Sequence, residues 1–382
     1  MTGAEYIAEF LFKIGSKKVF VVTGGACAFI IDAIARNDQL EYFPFQHEQA
    51  AAMAADSLWK IDKTIGVTVV TSGPGATNLI TGIACSYFDS IPSIHITGQV
   101  NQNEKLIYQG AIVRQAGFQE TNIVDMVKPI TKYAIQVTSV KELKEELSKA
   151  YKIALEGRMG PVLIDVPMDV QQAEAGDKVD VRDPEIESIT DLQKNEIQST
   201  LSKFFNGGER PLVLFGAGVG LADQEDCVIR FIESNNLPFV SSWNGMNFFT
   251  HKHKNYYGNI GVYGNRGANF ILQSSDRLLV LGSRLDNRQR GNVKKFAANA
   301  NVLVMDIDQG ELNKHKNNEN HIMIQLDFSN LHRILDNLNL NLGLNAHWYE
   351  FNTKVKDKYF THWPSSSAEK YGSLSPYDVV KK

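Results

Sequence analysis

Two glycine turns and one glutamate are the places where this sequence could do chemistry. Gly24-Gly25 closes the β-branched run Val19-Phe-Val-Val-Thr, and Ser72-Gly-Pro-Gly closes the run Val67 to Thr71. A glycine between strand and helix lets the backbone approach a ligand closely, with the helix-end amides facing it. An ordinary strand-to-helix turn has the same composition and needs no ligand. Between the turns lies Glu48, in the alanine-rich stretch HEQAAAMAADSLWK at 47–60. In a dry pocket such a carboxylate can share a proton with a bound base; on an amphipathic helix it is merely solvated. A third turn, GAGVG at 216–220, departs from the G-x-G-x-x-G fingerprint because Leu221 holds the last position, which disfavours a nicotinamide dinucleotide. His251 and His253 stand in a charged loop with no carboxylate partner in the pattern, so they read as solvated and no metal is expected there.

These residues need a scaffold. The chain has 382 residues and a mass of 42.6 kDa, more than one core usually serves, so two or three domains are expected. Hydrophobic residues make up 43% and charged residues 21%, which excludes collagen-like, coiled-coil and wholly disordered chains. With 39 basic residues, scattered, against 43 acidic ones, no nucleic-acid partner is expected. Cys27, Cys85 and Cys227 are far apart and odd in number, which fits a reducing compartment and argues against a disulfide framework or structural zinc. The start, MTGAEYIAEFLFKIGSKKVF, lacks an export-signal pattern, and no apolar run approaches the ~18 residues of a membrane span. The expected location is cytoplasmic, without membrane association.

Strands and helices alternate. Ile7, Phe10 and Leu11 at helical spacing precede the run at Val19. A helix at 47–60, a strand at Val67–Thr71, a helix at Ala76–Tyr87 and a strand at Ile94–Thr97 follow, and PVLIDVP at 161–167 closes the block. Continuous apolar strands separated by helices predict an α/β fold with a parallel sheet buried on both faces. The first domain is read as 1–170 and the polar stretch 171–192 as a linker. A second α/β block, 193–342, carries strands at PLVLF, LPFVSSW, RLLVLGS (277–283) and NVLVMDID (301–308). Residues 343–382 turn polar and aromatic and are read as a further linker.

Taken together, TGGACAFIIDAI, FQHEQAAAMAADSLWK, TSGPGATNLITGIACSYFDSIPSIHITGQV, GFQETNIVDMVKPITKY and GRMGPVLIDVPMDV resemble the thiamine-diphosphate enzymes of the acetolactate synthase group, over almost the whole chain. The resemblance implies two doubly wound parallel-sheet domains, one binding the cofactor's pyrimidine and a central, Rossmann-like one binding FAD. It implies active sites shared between subunits of a homodimer or homotetramer, with thiamine diphosphate, Mg²⁺ and FAD as cofactors. The implied reaction, placed in branched-chain amino acid biosynthesis, decarboxylates the 2-keto acid pyruvate and transfers its two-carbon unit to a second 2-keto acid. Glu48 matches the glutamate that hydrogen-bonds the aminopyrimidine and promotes the tautomer that deprotonates the thiazolium carbon. Thr71, Pro74 and Asn78 match positions beside the pyrimidine. Gly25 and Ala26 match the substrate-side loop, Gly25 offering an amide to a developing oxyanion. Phe118 and Gln119 match a pair reaching the neighbouring subunit's site; by themselves they read as a core side chain and a surface amide. Arg158, Gly216, Gly218, Tyr263, Gly264 and Arg284 match the flavin side, where guanidinium suits phosphate oxygens. Asp306 matches a place near ribose or adenine, and otherwise reads as a helix cap. Arg288 matches the arginine that meets the second keto acid's carboxylate, and otherwise reads as a loop arginine in a surface ion pair.

Several positions depart from the family. Met168 stands where its synthases usually carry lysine, and their Gly-Met-His-Gly loop reads Gly261-Val262-Tyr263-Gly264. The segment NQNEKLIYQGAIVRQAG at 101–117 is about eight residues longer than its counterpart, and a longer loop beside a site changes what fits there. An acceptor other than pyruvate or 2-ketobutyrate, such as a keto-sugar nucleotide, is therefore an alternative. The paired histidines of simple 2-keto acid decarboxylases are not visible between 98 and 120, which ranks that reading lower. No Gly-Asp-Gly, the family's diphosphate and Mg²⁺ motif, occurs, and SLSPYDVVKK resembles the entry helix of the domain that carries it. The chain alone is thus expected to be inactive, either part of a longer carboligase or a non-catalytic remnant.

Overall fold

Strands buried at every position form the middle of the first of two sheets in the computed structural model, which describes residues 1–104, 107–108, 111–185, 187–292, 295–340, 342 and 346–360. The chain divides into two compact units, Met1–Ile186 and Glu187–Lys382. The first contains β1 (Lys18–Val21), β2 (Glu41–Pro44), β3 (Gly66–Val70), β4 (Ser93–Gln99), the short antiparallel pair β5 (Ile107–Tyr108) and β6 (Ala111–Ile112), then β7 (Tyr133–Gln136) and β8 (Pro161–Pro167). β3, β4 and β8 are buried throughout, as strands covered on both faces must be. The six-stranded sheet runs β2-β1-β3-β4-β8-β7, parallel at every pairing. The chain leaves β1 for β2 on one side and then pairs β3 on the other. Between β1 and β3 the winding direction reverses, and open α/β sheets hold ligands beyond the strand ends at such a point.

Helices pack close to this sheet where small residues permit. Gly3–Lys13 is opened by a capping box from Thr2 to Glu5 and buries Ile7, Phe10 and Leu11. Glu48–Asp62 buries Ala51, Ala52 and Ala55 against β3, and a Cβ on Gly66 would stand 2.1 Å from Ala55 O. That closeness sets where the first residue of the helix, Glu48, is held. The helix expected at Ala76–Tyr87 is two helices, Pro74–Asn78 and Ile80–Asp89. Pro74 starts the first one early, and Leu79 N–H bonds Ala76 O in a tightened last turn. The stretch 171–192, expected to be a polar linker, is anchored at both ends. It begins within the helix Met168–Gln172, buries Ala175 and Val179 in the first core, and ends in the helix Asp191–Phe205 capped by Thr190.

The second unit repeats the plan with β9 (Pro211–Phe215), β10 (Phe239–Ser241), β11 (Tyr256–Asn259), β12 (Arg277–Leu281), β13 (Asn301–Asp306) and β14 (His321–Gln325). Its parallel order is β11-β10-β9-β12-β13-β14, which puts the reversal between β9 and β12. Within 343–382, read as a linker, residues 346–360 instead form the helix Ala346–Phe360. Trp348 and Val355 are buried in the core of this unit, and Trp348 Nε1 donates to Pro211 O at 2.9 Å. The segment SLSPYDVVKK lies outside the described residues. Among the described residues no helix is long and apolar enough to cross a membrane.

Candidate active site at the first switch point

Both glycine turns of the first unit converge on Thr71, the residue that follows β3. A Cβ on Gly24 would stand 2.4 Å from Thr71 Cβ, and one on Gly75 would stand 2.7 Å from Thr71 Cγ2. Ala26 N–H donates to Thr71 Oγ1 at 3.2 Å, which ties the Gly25–Cys27 turn to the end of β3. Burial pushes the Cys27 thiol up to about 11, so it stays neutral and packs as an apolar group. Gly25 has no atom within 4 Å of where a Cβ would stand. The glycines of these turns therefore have two uses: Gly24 and Gly75 let backbone touch a side chain, and Gly25 leaves space.

Glu48 faces the same place. It is 8% exposed, and Asn78 Nδ2 donates to its Oε2 at 2.9 Å. Its other oxygen, Oε1, lies 3.4 Å from the position a Cβ would take on Gly75. The carboxylate is thus removed from water, held through one oxygen, and turned by the other toward the cradle that glycine opens. A group so placed can give a proton to, or take one from, a bound base. Pro74, at the first position of its helix, is exposed beside this cradle.

Gln119 closes the far side of the second turn. Gly73 is left-handed (φ +62°), and a Cβ on it would stand 2.7 Å from Gln119 Cβ. Gln119 is itself left-handed (φ +57°), a conformation glycine favours, so tertiary packing holds it there. Phe118 beside it is 80% exposed, not the core side chain that its type alone suggests.

Three residues that support this site were not anticipated. Asp165, buried inside β8, accepts from Thr97 Oγ1 at 2.6 Å, Gln99 Nε2 at 3.0 Å and Gln136 Nε2 at 2.7 Å. Gln99 also donates to Thr121 O at 3.0 Å, which anchors the segment carrying Gln119. Gln171 donates to Ala26 O at 2.7 Å. The available signal was a carboxylate and an amide inside otherwise apolar strands, since buried polar groups need partners.

The flavin-side candidates fall in both units. Arg158 lies in the first, where its Nε donates to Ser90 Oγ at 2.9 Å. The others lie in the second. A Cβ on Gly216 would stand 2.2 Å from Gly282 O, and one on Gly218 2.9 Å from Gly282 Cα, so both glycines serve the packing of one strand end on its neighbour. Gly264 is similarly used against Asn259 O, at 2.4 Å. Tyr263 is exposed, edge-on to Trp243, and Arg288 Nη1 donates to its hydroxyl at 3.0 Å. Arg284 O accepts from Lys314 Nζ at 2.6 Å. Asp306 accepts from Asp308 N–H at 2.9 Å, and Asp308, not Asp306, caps the helix Gln309–Asn313. His253, expected to be solvated, has a side chain only 9% exposed, paired with Glu233 at 3.1 Å and packed edge-on to Phe239. His251 instead meets Met246 O at 3.2 Å.

Residues 1–126 match the thiamine pyrophosphate enzyme N-terminal TPP binding domain, and residues 199–333 match the thiamine pyrophosphate enzyme central domain. The acetolactate synthase isozyme 2 large subunit of Escherichia coli (strain K12) is 33% identical over 331 residues, covering 87% of this chain and 58% of that protein. The acetolactate synthase large subunit of Lactococcus lactis subsp. lactis (strain IL1403) is 33% identical over 389 residues, covering 100% and 64%. A probable acetolactate synthase large subunit of Methanocaldococcus jannaschii is 36% identical over 323 residues, covering 82% and 52%. The chain thus spans 52–64% of the length of these relatives. Each match falls on one of the two parallel sheets, and the chain belongs to the thiamine pyrophosphate enzyme family, carrying its N-terminal and central domains.

Proposed function

We propose that this chain forms the pyrimidine side of a thiamine-diphosphate-dependent carboligase site, with pyruvate as donor and a second 2-keto acid as acceptor. The observation that carries the reading is Glu48: a buried carboxylate with Oε2 held by Asn78 and Oε1 turned to the Gly75 cradle, where the sheet reverses its winding. When bound, thiamine diphosphate supplies an electron sink for the carbanion left by decarboxylation. Glu48 Oε1 holds the proton that a pyrimidine nitrogen exchanges, and Asn78 decides which oxygen does so. The space at Gly25 lets its backbone face a reacting carbonyl, while Gln119 lines the other side of the turn.

The exposed Phe118 supports a site completed by a second copy of the chain, as a homodimer or homotetramer. These 382 residues contain no Gly-Asp-Gly, so the diphosphate and Mg²⁺ fall to residues outside them. Tyr263, Arg284 and Arg288, which follow strands of the second unit, and Asp306, the last residue of β13, support FAD there, although Gly216 and Gly218 are already used in packing. The alternative acceptor, a keto-sugar nucleotide, is supported only by the longer segment 101–117.

The test is saturation-transfer NMR of thiamine diphosphate with the chain. Transfer is expected at the pyrimidine protons, weakened about tenfold by Glu48→Gln, the order of one charged hydrogen bond. No transfer with the unaltered chain overturns the reading. Pyruvate turnover by the chain alone, with thiamine diphosphate and Mg²⁺, is expected to be negligible; robust turnover would place the diphosphate site within these residues.

A further inference from the structure

We infer that Gln171 is a positioning residue of the candidate site, clamping the Gly25–Cys27 turn to the end of β8 so that Gly25 presents its backbone in one orientation. Gln171 is fully buried in the helix Met168–Gln172. Its Nε2 donates to Ala26 O and to Val166 O, both at 2.7 Å. Two carbonyls facing one group leave only the NH₂ end of the carboxamide able to point there, so the side chain's orientation is set. Its Oε1 is buried and meets no donor among the described residues. A methionine would fill the same length without burying an unpartnered oxygen, so the amide's contribution here lies in its two donors.

The clamp is rigid at both ends. Gly3 N–H donates to Ala173 O at 2.9 Å, and a Cβ on Gly3 would stand 2.3 Å from Val170 O, so the short helix is pressed against the first helix of the chain. On the turn, Ala26 N–H is held by Thr71, and a Cβ on Gly98 would stand 2.1 Å from Ala26 O. Ala26 is therefore fixed through its amide by β3 and through its carbonyl by Gln171, with β4 passing directly beneath. Gly25, the residue before Ala26, has no neighbour within 4 Å of a Cβ position, and its carbonyl is held by Ala28 N–H, so the peptide it shares with the clamped Ala26 helps to set its direction.

The use of Gly25 in catalysis rests on the carboligase reading; the clamp does not, and its test reads the turn and not turnover. Cys27, buried in the turn, is the reporter, and Cys227, buried in the second unit, is the internal reference. In the 382-residue chain below its melting range, Gln171→Met is expected to raise the rate of Cys27 thiol labelling about tenfold, the effect of one lost hydrogen bond on a local opening. Cys227 labelling stays unchanged, and the amide resonances of Gly25, Ala26 and Cys27 shift and broaden. Gln171→Glu adds a pH signature. Protonated, its carboxyl donates one hydrogen bond; ionised, it donates none. The ratio of Cys27 labelling in Gln171→Glu to that in Gln171→Met cancels the titration of the thiol, and should fall below one as the pH is lowered. A role in general stability alone would change Cys27 labelling only in step with unfolding of the whole first unit and would leave the Gly25, Ala26 and Cys27 resonances of the folded chain in place. Unchanged labelling and resonances in Gln171→Met overturn the proposal, and so does a flat ratio if Gln171→Met fails to fold and Gln171→Leu replaces it as reference.

Discussion

One methyl group added to each glycine turn is expected to have opposite outcomes. At Gly73 the backbone is left-handed (φ +62°), and a Cβ would stand 2.7 Å from Gln119 Cβ and 2.9 Å from Gln119 O. Forcing an L side chain into that conformation costs about 1 kcal/mol, and relieving the overlap costs about 1–3 kcal/mol more. Gln119 has little room to yield, because it is left-handed itself and its segment is tied to Gln99 through Thr121 O. Gly73→Ala is therefore expected to lose about 2–4 kcal/mol, or roughly 5–15 °C in melting temperature for a unit of this size. Gly25→Ala incurs neither cost, since nothing lies within 4 Å and its φ is not left-handed. It should be neutral or gain up to about 1 kcal/mol from the reduced freedom of the unfolded chain. Thiol labelling during heating, resolved by peptide mass, follows the units separately through Cys27 and Cys227. Gly73→Ala should lower the Cys27 midpoint and leave the Cys227 midpoint in place. Equal Cys27 midpoints in the two variants would refute the packing of Gln119 on Gly73 as the constraint on this turn.

Two further outcomes concern stability. His95, enclosed between Thr68 Oγ1 at 2.8 Å and Ser93 Oγ at 2.9 Å, is lowered by burial to about 3, and His315 in the second unit to about 4. Below pH ~6.5 the unfolded chain binds protons that the folded chain refuses, so stability falls with pH, by up to about 1.4 kcal/mol per pH unit for each histidine. Above pH ~6.5 the effect is absent. Urea unfolding at pH 7 and pH 5 measures it, and His95→Gln should flatten the slope in the first unit; an unchanged slope counts against the buried neutral imidazole. Trp348→Ala, which removes a 2% exposed ring and the donor to Pro211 O, should cost the second unit about 3–5 kcal/mol. The Cys227 midpoint drops while that of Cys27 holds; no drop would place the helix Ala346–Phe360 outside the core.

How much of this was legible in the sequence depended on burial. β3 and β8 can be read directly, because a strand covered on both faces is apolar almost throughout, whereas β4 is marked only by Ile94 and Ile96 and buries Ser93, His95, Thr97 and Gln99 with partners. The edge strands β2, β7 and β14 escape the same reading: each is partly exposed, and no clean period survives. The helix Ala346–Phe360 reads as polar because its buried residues Trp348, Asn352 and Val355 form one narrow stripe. Glu48, Thr71 and Asn78 are marked by short motifs whose turns bring them together locally. Gln171 and Asp165 are not, since their partners are set by where β8 lands, and Ala26 is 145 residues from Gln171.

β8 also fixes the order in which a growing chain can complete its site. It enters between β4 and β7, opposing Pro161 to Ser93, so no part of this pairing exists until the chain has been made to Pro161, and the whole of it only once Pro167 is made. Glu48, Thr71, Asn78 and the Gly25 turn belong to segments that precede β4, and can assemble as soon as β1 and β3 pair. Gln171, which holds Ala26 O, and Asp165, which steadies the approach to Gln119, arrive only with the late strand and the helix behind it. During synthesis the Glu48 carboxylate is thus in place before the walls around it, and until β8 arrives β4 is an open strand edge, the interval in which two nascent chains could pair by mistake.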